Sequence, residues 1–154
     1  MGLDMYLYKK TFLYTGEWVR EDKRCEVTVT EGGEPHPFIN PKKIEYIVEE
    51  VGYWRKANQI HQWFVEKVQK GEDNCKEYSV DYEQLRDLLN ACEDVLEDHS
   101  KAEQLLPRSS GFFFGSTDYD DYYFEQVQNT YDILMSIVSA GDADTQEYTY
   151  QSSW

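Results

Sequence analysis

Apolar and polar residues alternate at the start of the chain. Leu3, Met5 and Leu7 alternate with Asp4, Tyr6 and Tyr8, and this period of two predicts a half-buried strand that Lys9 and Lys10 end. The polar stretch 15–24 reads as a loop. Cys25, Val27 and Val29 alternate with Glu26, Thr28 and Thr30, which predicts a second strand, and the run from Gly32 to Pro37 is rich in turn residues. Asn40-Pro41 has the form of a helix start: Asn supplies a cap oxygen, and proline lacks only an N–H that the first turn leaves unpaired. Ile44, Ile47, Val48 and Val51 follow at helical spacing, with Gly52 as a kink or an end. A second helical pattern runs from Tyr53 to Lys70 and stops at Gly71.

Further along, 75–80 reads as a short strand. Asp81 or Ser79 caps the next helix, with Gln84 placed for a reciprocal capping box. Its buried stripe is Leu85, Leu88, Leu89, Cys92, Val95 and Leu96, and its other side is acidic. The segment 111–115 reads as a short buried strand between two glycines. Thr117 or Asp118 caps a last long helix that Gly141 ends, and 148–154 alternates as a closing strand. Strands and helices mix without regular βαβ alternation. The expected fold is therefore α+β, a single domain over residues 1–154 with an antiparallel sheet packed by three to four helices.

Composition sharpens this picture. The 154 residues include thirteen Tyr, seven Phe and four Trp, far more aromatic surface than acidic disordered chains carry. A buried phenol needs a hydrogen-bond partner, so an excess of Tyr favours half-buried surfaces and pockets. Three cysteines without a C-x-x-C spacing argue against a disulfide framework or a zinc ribbon and suit a reducing, cytoplasmic setting. No apolar run has the length of a signal peptide or of a membrane span, so no membrane association is expected.

Charge divides the chain. Residues 1–80 hold 12 Lys/Arg against 14 Asp/Glu, whereas residues 81–154 hold 3 against 16, with no Lys or Arg after Arg108. Such a surface repels nucleic acid, so direct nucleic-acid binding is not expected.

The densest chemistry lies in residues 53–64. On a helical wheel, Tyr53, Ala57, Ile60 and Phe64 make a core face, Trp54, Asn58 and His61 sit at its edge, Arg55 flanks it, and Trp63 falls among Lys56, Lys67 and Lys70. A histidine in an apolar arc is either a core group held by a partner or a ligand-contacting group at a pocket floor. Trp63 either covers lysine stems or forms a stacking platform beside cations. In the second segment, 111–123, Ser116 and Thr117 precede a helix start. Asp118, Asp120 and Asp121 would oppose an anion there and match no metal loop, while Tyr119 offers a pocket mouth. No nucleophile elbow, zinc helix, P-loop or dinucleotide fingerprint occurs, so no cofactor, metal or catalytic residue is expected.

The opening Gly-Leu-Asp-Met-Tyr-Leu, the stretch 50–64, the run 111–120 and the closing Tyr-Gln-Ser-Ser-Trp resemble a family of small uncharacterised phage and prophage proteins. The resemblance spans nearly the whole chain. It implies a phage origin and a bacterial cytoplasm, and it carries no activity and no site residue.

Two functions follow from the residues. In the first, the chain binds a small anionic or nucleotide-like molecule and sequesters it against host defence. Arg55 then contacts the anion, Trp54 or Tyr119 stacks a base, Asn58 and His61 read its edge, and Ser116 and Thr117 add polar contacts. In the second, the acidic half inhibits a basic host protein such as a nuclease, in a complex that weakens steeply as salt rises.

Overall fold

A computed structural model describes residues 2–111, 114–141 and 145–154. The strands are β1 (Asp4–Phe12), β2 (Thr30–Glu31), β3 (Glu34–Pro35), β4 (Tyr46–Arg55), β5 (Tyr78–Val80) and β6 (Glu147–Ser153). The α-helices are α1 (Asn58–Lys67), α2 (Tyr82–Glu97), α3 (Ala102–Leu105) and α4 (Asp121–Ser139). An antiparallel sheet in the order β4-β1-β6-β5, with four helices, makes the fold α+β. No helix among the described residues is long and apolar enough to cross a membrane.

The chain divides into two units, residues 1–9 with 50–154, and residues 10–49. In the larger unit one face of the sheet carries the core. Leu3 just before β1, Met5 and Leu7 of β1, Trp54 of β4, and Tyr148 and Tyr150 of β6 are buried there. They join Ile60 and Phe64 of α1, Leu85, Leu88, Cys92 and Val95 of α2, and Tyr123, Val127 and Leu134 of α4 in a single cluster. The register of β5 on β6 sets Tyr78 opposite Tyr150 and Val80 opposite Tyr148, so these side chains share a face. α2 begins with the expected capping box between Asp81 and Gln84, buries the predicted stripe except Leu96, which is half-buried, and packs on α4.

The smaller unit is irregular apart from short elements. β2 and β3 form a hairpin, with Gly32 (φ 61°) and Gly33 (φ 90°) supplying the positive φ that its tight turn requires. The strand expected over Cys25–Thr30 reduces to Thr30–Glu31, because this hairpin pairs only two residues a side. Trp18 and Phe38 are exposed, while Val19 is buried.

Several boundaries differ from expectation. Asn40 does cap a turn, its side chain accepting from Lys42 N at 3.1 Å. That turn is a single 3-10 stretch, Pro41–Lys43, and the predicted helix beyond it is β4. Gly52 neither kinks nor ends a helix. A Cβ there would meet Trp54 Cη2 at 2.8 Å, so its bare backbone makes room for the indole two residues on, on the same face of the strand. The following helix starts at Asn58 rather than Tyr53, which leaves Trp54 and Arg55 on β4. α4 is capped by Asp120, whose Oδ1 accepts from Tyr123 N at 3.0 Å, rather than by Thr117 or Asp118. β1 continues through Lys9 and Lys10, with a neighbouring strand on each side. The strand expected at 111–115 falls partly on Phe112 and Phe113, outside the described residues, and Phe114 lies in a turn.

Candidate functional site

Segments 53–64 and 111–123 meet, and Asn58 joins them. It is fully buried at the start of α1. Its Nδ2 donates to Phe114 O at 3.0 Å and to Ser116 O at 2.9 Å, while its Oδ1 accepts from Ser109 N at 3.1 Å. One amide thus satisfies three backbone groups of the 109–116 loop, which no regular element pairs.

Trp54 and His61 lie behind this junction. Trp54 is 2% exposed and donates from Nε1 to Thr130 Oγ1 at 2.9 Å, and Thr130 in turn donates to Gln126 O at 2.7 Å. His61 is fully buried, with Tyr150 Oη at 2.8 Å from Nδ1 and Asp73 Oδ2 at 3.0 Å from Nε2. The carboxylate can only accept, so the bond to Asp73 places a proton on His61 Nε2. Trp154 Nε1 donates to the other Asp73 oxygen at 3.1 Å. This chain of bonds ties α1, the 73 loop and the C-terminal strand together. Burial raises the Tyr150 phenol well above its ordinary value. Trp63, placed among lysines by the wheel, is 8% exposed and packs edge-on against Phe64. The helical period assigned it to the outer face, but the core wraps far enough round α1 to cover it.

The remaining predicted residues face outward. Arg55 is exposed, with Nη1 3.8 Å from Asp4 Oδ1, the same oxygen that accepts from Tyr53 Oη at 2.6 Å. Its carbonyl accepts from Tyr122 Oη and from Gln126 Nε2, each at 3.3 Å. Ser116 and Thr117 are exposed, and Ser116 Oγ accepts from Asp118 N at 3.0 Å. Tyr119 is 40% exposed, its ring edge-on to Tyr123 at 4.9 Å, and its hydroxyl accepts from Arg108 N at 3.2 Å.

Two further cations, Lys56 and Arg108, belong to the described residues next to this junction. Lys56 has a left-handed backbone (φ 55°), a strained state for a residue with a Cβ. It sits back to back with Gly115, where a Cβ would come within 3.3 Å of Lys56 Cβ. Arg108 lies under the loop with its side chain 3% exposed. Its Nε donates to Asp118 O at 3.0 Å and its Nη1 to Gln59 Oε1 at 3.1 Å, while its guanidinium rests 4.9 Å from the Tyr123 ring centre. Burial lowers its affinity for its proton, and the neighbouring Asp120 partly offsets this. Only one trace of Arg108 is legible in sequence: it is the last Lys or Arg in an acidic half that holds three.

The smaller unit has an open cleft of about 780 Å³ lined by Thr15, Glu17, Arg24, Cys25 and Lys42 among others. Arg24 spends its Nη2 on the carbonyls of Glu17 and Val19. No buried polar group without a hydrogen-bond partner lies in this cleft among the described residues. Nor is any metal-holding group of His, Cys, Asp and Glu present among them, Asp118, Asp120 and Asp121 included.

The candidate site is therefore the aromatic surface of Tyr119 and Tyr122 beside the buried Arg108 guanidinium, with Trp54, Asn58 and His61 as its fully bonded support. No family model, no curated protein and no solved structure matches the chain.

Proposed function

We propose that this chain is a small binding protein that takes up an anionic, nucleotide-like molecule over the 108–122 loop. In the phage setting that the sequence resemblance implies, it would withhold such a molecule from host defence. The observation that carries this reading is Arg108, a buried guanidinium with one nitrogen, Nη2, that makes no hydrogen bond. A charged group kept from water and left partly unbonded costs stability, and an anionic ligand would remove that cost. Beside it Tyr119, whose hydroxyl accepts from Arg108 N, and Tyr122, whose hydroxyl donates to Arg55 O, present exposed rings, in a chain of formal net charge −15. Rings of this kind stack bases, and the backbone and hydroxyl groups of Ser116 and Thr117 can fix orientation.

The reading is tested by incubating the protein in bacterial lysate, repurifying it and weighing it by native mass spectrometry. A retained small anionic mass is expected from the wild type and not from Arg108→Gln. Equal retention by the variant, or no retained mass in either, refutes it. Because Trp54, Asn58 and His61 are fully bonded within the fold, they position the loop in this proposal and do not touch the ligand.

A further inference from the structure

The start of α4 holds an unused set of donors. Arg108 Nη2 is buried without a hydrogen-bond acceptor. The nearest carboxylate oxygen, Asp120 Oδ1, is 3.7 Å away, outside bonding distance. That oxygen is already engaged as the cap of α4, accepting from Tyr123 N at 3.0 Å. The backbone N–H groups of Asp121 and Tyr122, the first two of this 19-residue helix, have no acceptor among the described residues. The helix start also carries the exposed carboxylates of Asp118 and Asp121, so an anion is admitted only against their charge, and Asp120 is the one of the three that stands 3.7 Å from Arg108. A guanidinium nitrogen and two backbone N–H groups make three donors, and a terminal phosphate has three oxygens to accept from them.

We infer that Arg108 Nη2 and the first turn of α4 form a phosphate subsite, and that Asp120 sets its affinity by opposing the incoming charge while it caps the helix. This rests on the binding reading above and names its ligand class: a phosphorylated molecule, with its anion at α4 and any base towards Tyr119 and Tyr122. Asp120 would then act as a threshold. A single weakly charged group is turned away, and a phosphate with enough negative charge to compete for Arg108 is admitted.

Isothermal titration with inorganic pyrophosphate tests the inference on wild type, Asp120→Asn and Arg108→Gln. Asn caps a helix about as well as Asp, so Asp120→Asn should stay folded while it loses the repelling charge, with a lower melting temperature reporting the lost pairing with Arg108. The expected result is roughly tenfold tighter pyrophosphate binding in Asp120→Asn, in line with removal of one like charge a few ångströms away. Arg108→Gln should lose binding, and adenosine should bind wild type and Asp120→Asn alike. Binding by Asp120→Asn alone would also support the subsite, with Asp120 as its block. Equal or weaker binding by Asp120→Asn than by wild type overturns the role of Asp120 and leaves the binding reading standing. No pyrophosphate binding in either protein overturns the subsite. The lysate experiment then decides separately whether another anion is held.

Discussion

Replacing Asn58 by Asp would turn two N–H bonds, to Phe114 O and Ser116 O, into contacts between oxygens in a fully buried place. Two unsatisfied carbonyls and one buried charge cost about 3 kcal/mol or more. Urea unfolding of Asn58→Asp should show that loss, and a midpoint equal to the wild type would mean that the loop is held by other groups. A helical wheel put Asn58 and His61 at the edge of the apolar arc, and both are indeed buried. Their partners were not legible in sequence. Phe114 and Ser116 lie more than fifty residues from Asn58, and Tyr150 lies 89 from His61. Periodicity reports which face a side chain occupies, not which distant atom satisfies it. Arg108 was hidden for the same reason, since its meaning comes from burial under a loop and not from its neighbours in the chain.

Elements with one clear period were legible. β1 and β6 alternate and form strands, and α2 has both its capping box and its stripe. The segment 44–51 was misread because Ile44, Ile47, Val48 and Val51 fit the three-and-four spacing of a helix as well as they fit a β-branched strand. Pairing with β1 decides between the two, and no local window contains it. Gly52 held the overlooked signal: a glycine two residues before a Trp leaves space on the same strand face. A Gly52→Ala methyl would sit 2.8 Å from Trp54 Cη2 and 3.2 Å from Ile133 Cγ2. The indole would have to move off its bond to Thr130, at about 1–3 kcal/mol. A lowered melting temperature, with a blue shift lost from Trp fluorescence, checks this. An unchanged melting curve would show that the ring has room to spare.

At the scale of the whole molecule, buried phenols set an upper pH limit. Burial raises Tyr123 and Tyr150 above their ordinary value of 10.0. Unfolding releases them to that value, so above it the unfolded chain binds fewer protons than the native one. Their contribution is complete below about pH 10 and is lost as pH rises towards the native values. Chemical unfolding between pH 8 and pH 11.5 should therefore show stability level at first and then falling. Tyr150→Phe should flatten the fall, and an equal slope in both proteins would assign it to other groups. The carboxylates of α2 need no partner to be understood. Glu83, Asp87, Glu93 and Glu97 face water, where negative charge keeps a protein dispersed.

The strand order also has a consequence in time. β6 lies between β1 and β5, so a segment near residue 150 completes a sheet that begins at residue 4. While the chain is being synthesised, β1 waits without its inner neighbour until almost every described residue has been added. During that interval it presents an open edge and a row of Leu3, Met5 and Leu7 that the finished fold buries. The nascent β1 is thus exposed to aggregation or capture until β6 has been made, and the step that ends this exposure is the pairing of two strands that lie far apart along the chain.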